Sequence, residues 1–140
     1  MHQKYYPEPV VGLFIFNPEG EIFLFKTHKW KGLYCVPGGH IEWGETMKQA
    51  LVREAKEEAG LDIYDCKLFK IIEFLPDGSF WKEKHMIFLN HLCKTKSTEV
   101  TLNDEAQSFV WVNPEEALKL PLEKYTKQTL EEFLTKKPNW

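Results

Sequence analysis

The sequence predicts one α/β domain in which a mixed β-sheet packs between helices. Short apolar segments, each bounded by turn residues, recur along the chain and are typical of strands. A strongly charged helix is predicted among them, and an amphipathic helix is predicted near the C terminus. With 140 residues the chain is long enough to bury a sizeable core, and we expect residues 1–140 to form a single domain.

The first third of the chain alternates predicted strands with turn and loop residues. Strands are predicted for residues 9–16, 21–26 and 34–36. Residues 17–20, Asn-Pro-Glu-Gly, predict a turn, and residues 27–32 predict a polar loop. Pro37, Gly38 and Gly39 then break the third strand, and the two glycines let the backbone approach a ligand closely.

A helix is predicted from about Thr46 to Ala59. Gly44 lies just before it, and Gly60 is the residue type that commonly ends a helix.

Three glutamates of this helix form its most informative feature. Glu54, Glu57 and Glu58 lie at helical neighbour spacing, so their carboxylates share one face, and like charges at this spacing cost about 0.2–0.5 kcal/mol per pair. Met47 and Leu51 continue the same seam, which places the carboxylates beside the apolar stripe, while Arg53 falls on the other side. Partly buried carboxylates need partners, and oxygen ligands of high charge suit Mg²⁺ or Mn²⁺. A charge run of this kind, taken alone, is more typical of a solvated helix face.

The remainder of the chain predicts further strands and two helices. Residues 63–75 predict a strand or a bent pair, residues 76–78 a turn, residues 81–93 a strand and residues 108–112 another, with a polar loop at 95–104. Pro114 opens a short helix. Residues 122–134 predict a C-terminal amphipathic helix whose candidate buried residues are Tyr125, Thr129, Leu130, Phe133 and Leu134.

The run from Gly39 to Leu61 resembles the signature of the Nudix hydrolase family, G-x5-E-x7-R-E-U-x-E-E-x-G-U, where U is aliphatic. The matching residues are Gly39, Glu45, Arg53, Glu54, Glu57, Glu58, Gly60 and Leu61, and Ala55 is smaller than the usual aliphatic residue. A Trp-x-x-x-Glu-Glu segment at 111–116 extends the similarity. The resemblance implies an α/β/α sandwich with a mixed β-sheet between helices, and hydrolysis of a diphosphate bond in a nucleoside diphosphate derivative.

The resemblance also implies roles for the charged residues and for one glycine. It assigns Glu57 and Glu58 as metal ligands, Glu54 as a ligand or the base that activates water, and Mg²⁺ as the cofactor, with Mn²⁺ as an alternative. Arg53 would orient the glutamates, and Glu45 would support that arrangement. The Gly38 carbonyl would complete the metal shell.

A second acidic residue is expected from a later loop, where Glu105 is assigned as base or ligand and Asp104 is its rival.

Candidate substrate contacts lie outside the glutamate helix. Lys26 ends the second strand and is a candidate phosphate contact, although a solvated lysine is the plain alternative. Gly39 and His40 follow the third strand, and His40 contacts either the substrate or only its own loop. Trp81 is the aromatic residue we assign to the substrate site. Three further aromatic residues either stack on a base or pack structurally: Trp30, Trp43 and Phe80.

Two substrate classes and two other functions remain open on the sequence. The resemblance favours a MutT-like nucleoside triphosphate diphosphatase, which releases pyrophosphate and leaves a monophosphate. Pro76, 15 residues beyond Leu61, is instead a marker of ADP-ribose pyrophosphatases, but it belongs to a Pro-Asp-Gly turn. A non-catalytic nucleotide sensor is an alternative of another class, as is a prenyl diphosphate isomerase using Cys35.

Composition limits the partners. A net charge of −3 argues against a broad nucleic-acid surface but allows a nucleotide-type small molecule. Residues 1–6 lack the apolar core of a signal peptide, and no apolar run is long enough for a membrane span, so we expect a cytoplasmic protein. Cys35, Cys66 and Cys93 are then expected to be reduced and buried, with zinc binding as the alternative. Homodimers are common in the family, which makes a second copy of the chain a candidate partner.

Overall fold

In a computed structural model of the protein, which describes residues 5–140, seven strands form one sheet. They are β1 (Glu8–Phe16), β2 (Ile22–Thr27), β3 (Tyr34–Cys35), β4 (Gly38–His40), β5 (Ile63–Phe74), β6 (Met86–Thr95) and β7 (Ala106–Val112). The central order is β3-β2-β1-β6-β5, with β4 also paired to β1 and β7 to β2. Because β1 and β6 pair in parallel while the other pairs are antiparallel, the predicted mixed sheet is confirmed.

Helices cover both faces of this sheet. They are α1 (Met47–Ala59), α2 (Pro114–Ala117) and α3 (Lys124–Lys136), with a 3-10 turn at His28–Trp30. Side chains alternate along β1, so Val11 and Leu13 pack with Leu51 of α1, whereas Phe14 packs with Leu130 of α3. The α/β/α sandwich is therefore confirmed.

Helix α1 begins and ends at the residues that the sequence indicates. Thr46 caps it, accepting a hydrogen bond from the Gln49 backbone N–H at 3.1 Å, while the Gln49 side chain accepts one from Thr46 at 2.9 Å. Gly60 ends the helix with a left-handed φ of 66°. The predicted apolar seam is wrong at Met47, which is 41% exposed, since the buried face runs through Ala50, Leu51, Glu54, Ala55 and Ala59.

Other strand boundaries differ from the predictions or settle a choice between them, and β7 begins at Ala106, two residues before its predicted start. Residues 38–40 are a strand and not an open loop, because they pair with β1. The strand predicted for residues 81–93 begins only at Met86, after the charged segment 82–85. Ile63–Phe74 forms one strand with two irregularities in its pairing to β6, which resolves the choice between a strand and a bent pair.

The C-terminal helix begins two residues later than predicted, because Glu123 caps it. The Glu123 carboxylate accepts hydrogen bonds from the backbone of Tyr125 and Thr126. Thr129 and Leu130 are buried as predicted, and the sequence reading missed buried Thr126.

Residues 1–4, part of the segment on which the absence of a signal peptide is argued, lie outside the described residues. None of the helices within residues 5–140 is long and apolar enough to cross a bilayer.

Candidate active site

Arg53 connects three of the acidic side chains. Its Nε and Nη2 donate to the two carboxylate oxygens of Glu45 at 2.7 and 2.9 Å. Its Nη1 donates to Glu54 at 2.7 Å and to Glu57 at 3.2 Å, and Nη2 also donates to the His40 carbonyl at 2.9 Å. Helical spacing places Arg53 on the other side of α1, but its long side chain reaches back to the carboxylates, in agreement with the expected ion pairing. Arg53 is also the only arginine among the 140 residues.

Glu45 holds the guanidinium from the loop before α1. The Glu42 backbone N–H donates to its Oε1 at 3.0 Å, so the carboxylate is held by its own loop as well as by Arg53. The hydrogen bonds from Arg53, followed by that of the Glu42 backbone, lower the pKa of Glu45 to about 2. Because two nitrogens of Arg53 bind the two oxygens of Glu45, the pairing fixes the orientation of the guanidinium as well as balancing its charge.

Glu54 is buried against the backbone of β4. Its residue is only 8% exposed, and a Cβ placed on Gly39 would lie 2.1 Å from Glu54 Oε1. A side chain at position 39 would therefore force the Glu54 carboxylate out of its present position. Burial is the main cause of a raised pKa for Glu54, and the hydrogen bond from Arg53 opposes it.

Glu58 is anchored to the same strand and follows Glu54 by one turn of α1. The Gly38 backbone N–H donates to Glu58 Oε2 at 2.8 Å. Burial raises the pKa of Glu58 well above its ordinary range, and the nearby charge of Glu54 raises it further. Because two neighbouring carboxylates repel each other, the protonation of Glu58 depends on that of Glu54.

The donor chemistry of this pair fits a divalent cation. Burial raises the pKa values of Glu54 and Glu58, because too little positive charge lies nearby to stabilise both ionised carboxylates. A hard cation with oxygen ligands would supply that charge in place of the proton. Within residues 5–140 no three acidic, histidine or cysteine side chains already converge on one point, since Glu57 is largely exposed and turned to Arg53. The metal-ligand roles of Glu54, Glu57, Glu58 and the Gly38 carbonyl stay predictions.

A cavity of about 150 Å³ lies beside this cluster. Gly38, Gly39 and Glu58 line it, together with Lys29 and Glu105. Lys29 Nζ lies 2.8 Å from Glu105 Oε2, so a cation and an anion from distant parts of the sequence meet at the cavity. Among the described residues Glu58 is the α1 glutamate on the cavity wall, which makes it the link between the cluster and the cavity.

Aromatic residues line another part of the same cavity. The centre of the Trp30 ring lies 4.6 Å from that of Phe80 and 6.2 Å from that of Phe88. The centre of the Tyr125 ring, on α3, lies 5.8 Å from that of Phe88. Asn90 of β6 also lines the cavity and donates from Nδ2 to Thr129 Oγ1 at 3.1 Å. A cavity lined by charges and by aromatic rings can accommodate a ligand with a charged group and a flat apolar group.

The candidate substrate contacts divide into two sets. Gly39 and His40 line the cavity, and His40 Nε2 also lies 3.2 Å from Glu8 Oε1. Lys26 does not line it, because side chains alternate along β2: Phe25 and Thr27 line the cavity, and the Lys26 side chain lies on the other face, 4.7 Å from the centre of the Tyr34 ring. Trp81 is 45% exposed and also does not line it. Its backbone N–H donates to the Lys29 carbonyl at 2.9 Å.

The sequence analysis missed Lys29, and only some of its other aromatic candidates lie at the cavity. Lys29 sits in the 3-10 turn that the sequence presents as a polar loop, and its neighbours give no signal for a site. Trp30 and Phe80 reach the cavity, whereas Trp43 is fully exposed. Glu105 reaches the cavity and Asp104 does not, which agrees with the preference for Glu105 as the acidic residue of the later loop.

Comparisons with known proteins agree with this arrangement. A family model described as NUDIX domain matches residues 6–133. Nucleoside triphosphatase NudI of Escherichia fergusonii is 32% identical over 106 residues, covering 71% of this chain and 74% of the relative. An RNA pyrophosphohydrolase of Wolbachia pipientis is 30% identical over 142 residues, covering 89% of this chain and 88% of the relative.

A solved structure gives the same result for the fold. The crystal structure of a MutT NUDIX hydrolase from Burkholderia pseudomallei superposes with a TM-score of 0.74 at 26% identity. The match covers 90% of this chain and 97% of that one.

Proposed function

The chain belongs to the NUDIX family, whose named relatives are hydrolases of phosphorus-containing anhydrides, and from that premise we propose a Mg²⁺-dependent, MutT-like nucleoside triphosphate diphosphatase. It would release pyrophosphate and leave a nucleoside monophosphate. The observation that carries the proposal is the buried Glu54–Glu58 pair, held by Arg53 and Gly38 beside a cavity that also contains Lys29. We propose a cytoplasmic location, and a second copy of the chain as a candidate partner.

Mg²⁺, with Mn²⁺ as an alternative, would be held by Glu58, Glu54 and Glu57 with the Gly38 carbonyl. When bound, the ion neutralises diphosphate charge and lowers the pKa of a bound water. Arg53 keeps Glu54 oriented through the 2.7 Å hydrogen bond and is itself fixed by Glu45. Glycine at position 39 leaves the room that the Glu54 carboxylate occupies.

Two groups on the cavity wall have roles toward the substrate. Lys29 would bind a phosphate oxygen, exchanging its pairing with Glu105 for the more highly charged ligand. Glu105, released from that pairing, would accept a proton from the attacking water. The aromatic group of Trp30, Phe80 and Phe88 would take the base or sugar.

The triphosphate reading has more support than ADP-ribose hydrolysis. The relative named nucleoside triphosphatase is 32% identical to this chain. Pro76, the marker for the ADP-ribose reading, does not line the cavity, and Gly78 with its φ of 85° marks the same segment as a turn. The relative named RNA pyrophosphohydrolase adds an RNA with a 5′-triphosphate to the candidates that an assay must include, against our expectation that no nucleic-acid polymer binds.

The decisive experiment is a hydrolysis screen with and without Mg²⁺. The panel contains nucleoside triphosphates, oxidised nucleoside triphosphates, ADP-ribose, nucleotide sugars, dinucleoside polyphosphates and a 5′-triphosphate RNA. We expect pyrophosphate and a monophosphate from a triphosphate. Faster turnover of ADP-ribose, or of the RNA, would replace the proposed substrate class.

A matched pair of variants tests the role of Glu58, and the wild-type protein separates an enzyme from a nucleotide sensor. Glu58→Gln should abolish Mg²⁺-dependent hydrolysis while the protein stays folded. Glu42→Gln, whose side chain is 67% exposed near the same cluster, should leave most activity. Nucleotide binding without any hydrolysis by the wild type would instead identify a sensor.

A further inference from the structure

A β-bulge places two cysteines opposite each other on neighbouring strands. In the β5–β6 pairing Tyr64 faces Lys94, and the next recorded pair is Lys67 with Leu92. Two residues of β5, Asp65 and Cys66, therefore share one opposing residue of β6, which is Cys93. This two-against-one arrangement is that of a β-bulge.

The bulge is fixed by contacts on both sides. Asp65 has a left-handed φ of 50°, its carboxylate lies 3.2 Å from Lys94 Nζ, and its carbonyl accepts a hydrogen bond from Trp140 Nε1 at 2.9 Å. Such left-handed backbone is tolerated by aspartate better than by most residues. The register that sets Cys66 against Cys93 is thus determined by the local structure.

Both thiols lie on the face of the sheet that α1 covers. Cys93 is fully buried in the core cluster containing Ala55 and Ala59, and Cys66 is half-buried against that cluster. Residues directly opposite on antiparallel strands have Cβ atoms about 4.5–5.5 Å apart, close to the roughly 3.5–4.5 Å of a disulfide. Cys66 Sγ donates weakly to the Tyr64 carbonyl at 3.8 Å.

We propose that Cys66 and Cys93 are a peroxide-sensitive dithiol that oxidises to an intramolecular disulfide. The Cys66 thiolate attacks one oxygen of hydrogen peroxide, giving the sulfenic acid of Cys66 and releasing hydroxide, which takes up a proton to become water. The Cys93 sulfur then attacks Cys66 Sγ, and the sulfenic hydroxyl leaves as a second water with the proton of the Cys93 thiol. The peroxide is the oxidant, and the two thiols lose two electrons in total.

The environments of the two thiols fit this order of events. The neighbouring Cys93 thiol, opposed by burial and assisted by the charge of Lys48, lowers the pKa of Cys66. The Cys66 thiol and burial raise the pKa of Cys93. Cys66 is the more accessible thiol as well as the better thiolate, so the peroxide reaches it first.

Cys35 provides an internal control. It is buried, it donates weakly to the Phe25 carbonyl, and burial raises its pKa well above the ordinary value. Its thiol should stay reduced under conditions that oxidise the pair. Cys35, Cys66 and Cys93 also lie in separate tryptic peptides, residues 32–48, 57–67 and 85–94.

The experiment treats the folded, full-length protein with hydrogen peroxide, alkylates remaining thiols after denaturation, and maps the peptides without reduction. We expect two of the three thiols to lose reactivity and the peptides 57–67 and 85–94 to be linked within one chain. Cys35→Ser should form the same link. Cys66→Ser should keep both remaining thiols alkylatable.

Three results would overturn the proposal. One is full alkylation of Cys66 and Cys93 after peroxide treatment, another is a link that involves Cys35, and the third is a link between two chains. Cys93→Ala should stop at the sulfenic acid of Cys66, which a dimedone probe labels. If that variant fails to fold by circular dichroism, Cys66→Ser and Cys35→Ser decide the question alone.

Discussion

Arg53→Lys tests whether the shape of the guanidinium, beyond its charge, holds the glutamate cluster. Arg53 makes five hydrogen bonds from three nitrogens, whereas lysine has a single nitrogen. An ammonium that remains with Glu45 gives up the bonds to Glu54 and to the His40 carbonyl, and also the longer bond to Glu57, which contributes little because the Glu57 side chain is 57% exposed. A hydrogen bond to a charged group contributes about 1.5–3 kcal/mol, so the loss of two amounts to about 3 kcal/mol at the lower end of that range. The lower end applies because the Arg53 side chain is 23% exposed.

Thermal unfolding followed by circular dichroism measures this loss. For a domain of this size about 3 kcal/mol lowers Tm by roughly 10 °C. Lys56→Ala is the control on the same helix, because Lys56 pairs with Asp62 at 3.3 Å but both side chains are exposed, 61% and 89%. Such exposed pairs contribute about 0–1 kcal/mol, so Tm of the control should fall by less than about 3 °C.

Arg53→Lys should also lower activity in the fraction of protein that stays folded, because Glu54 loses the group that orients it. We expect kcat to fall by at least about tenfold at a temperature where the variant is folded. A Tm for Arg53→Lys within about 2 °C of wild type, or a loss no larger than that of Lys56→Ala, would refute the idea that guanidinium geometry holds the cluster.

The remaining predictions concern the cavity wall and the acid stability of the cluster. Lys29→Ala should raise KM for the substrate about tenfold with kcat nearly unchanged if Lys29 only binds phosphate, and a fall in kcat alone would contradict that role. Glu105→Gln should lower kcat about 100-fold and Asp104→Asn much less, because Glu105 lines the cavity and Asp104 does not; equal effects would remove the distinction. For Glu45 the folded pKa of about 2 is below the ordinary 4.5, so its stabilising pairing with Arg53 is complete above 4.5 and is lost as pH falls toward 2. The Tm difference between wild type and Glu45→Gln should therefore be constant near neutral pH and shrink in acid, and a difference independent of pH would contradict the pairing.

Helix α1 and its charges could be predicted from the sequence because their determinants are local. Thr46 and Gly60 act within one turn of the helix ends, and the spacing of Glu54, Glu57 and Glu58 is set by the helix itself. The strands followed from apolar periodicity, because each strand buries alternate side chains, and strands and helices together indicated the mixed sheet. These parts agree because propensity and tertiary packing favour the same structure.

The remaining parts depend on pairing between distant strands. Two glycines make residues 38–40 a poor strand by propensity, and β1 nevertheless pairs with them. The cation at the cavity is Lys29, in the 3-10 turn after β2, and not Lys26. The bulge at Asp65 is equally invisible in residue spacing, and it alone decides that Cys66 faces Cys93.

The presence of one arginine in the whole chain makes the site directly observable by spectroscopy. In a ¹⁵N-labelled sample the arginine Nε–H resonance can come only from Arg53, so no assignment is needed to follow it. Its chemical shift and solvent exchange depend on the carboxylate that accepts from Nε, which is Glu45 at 2.7 Å. Titrating metal ion or nucleotide while recording this single signal would reveal whether the guanidinium keeps its partners during binding. An arginine-selective reagent would, for the same reason, modify this site and no other side chain of the protein.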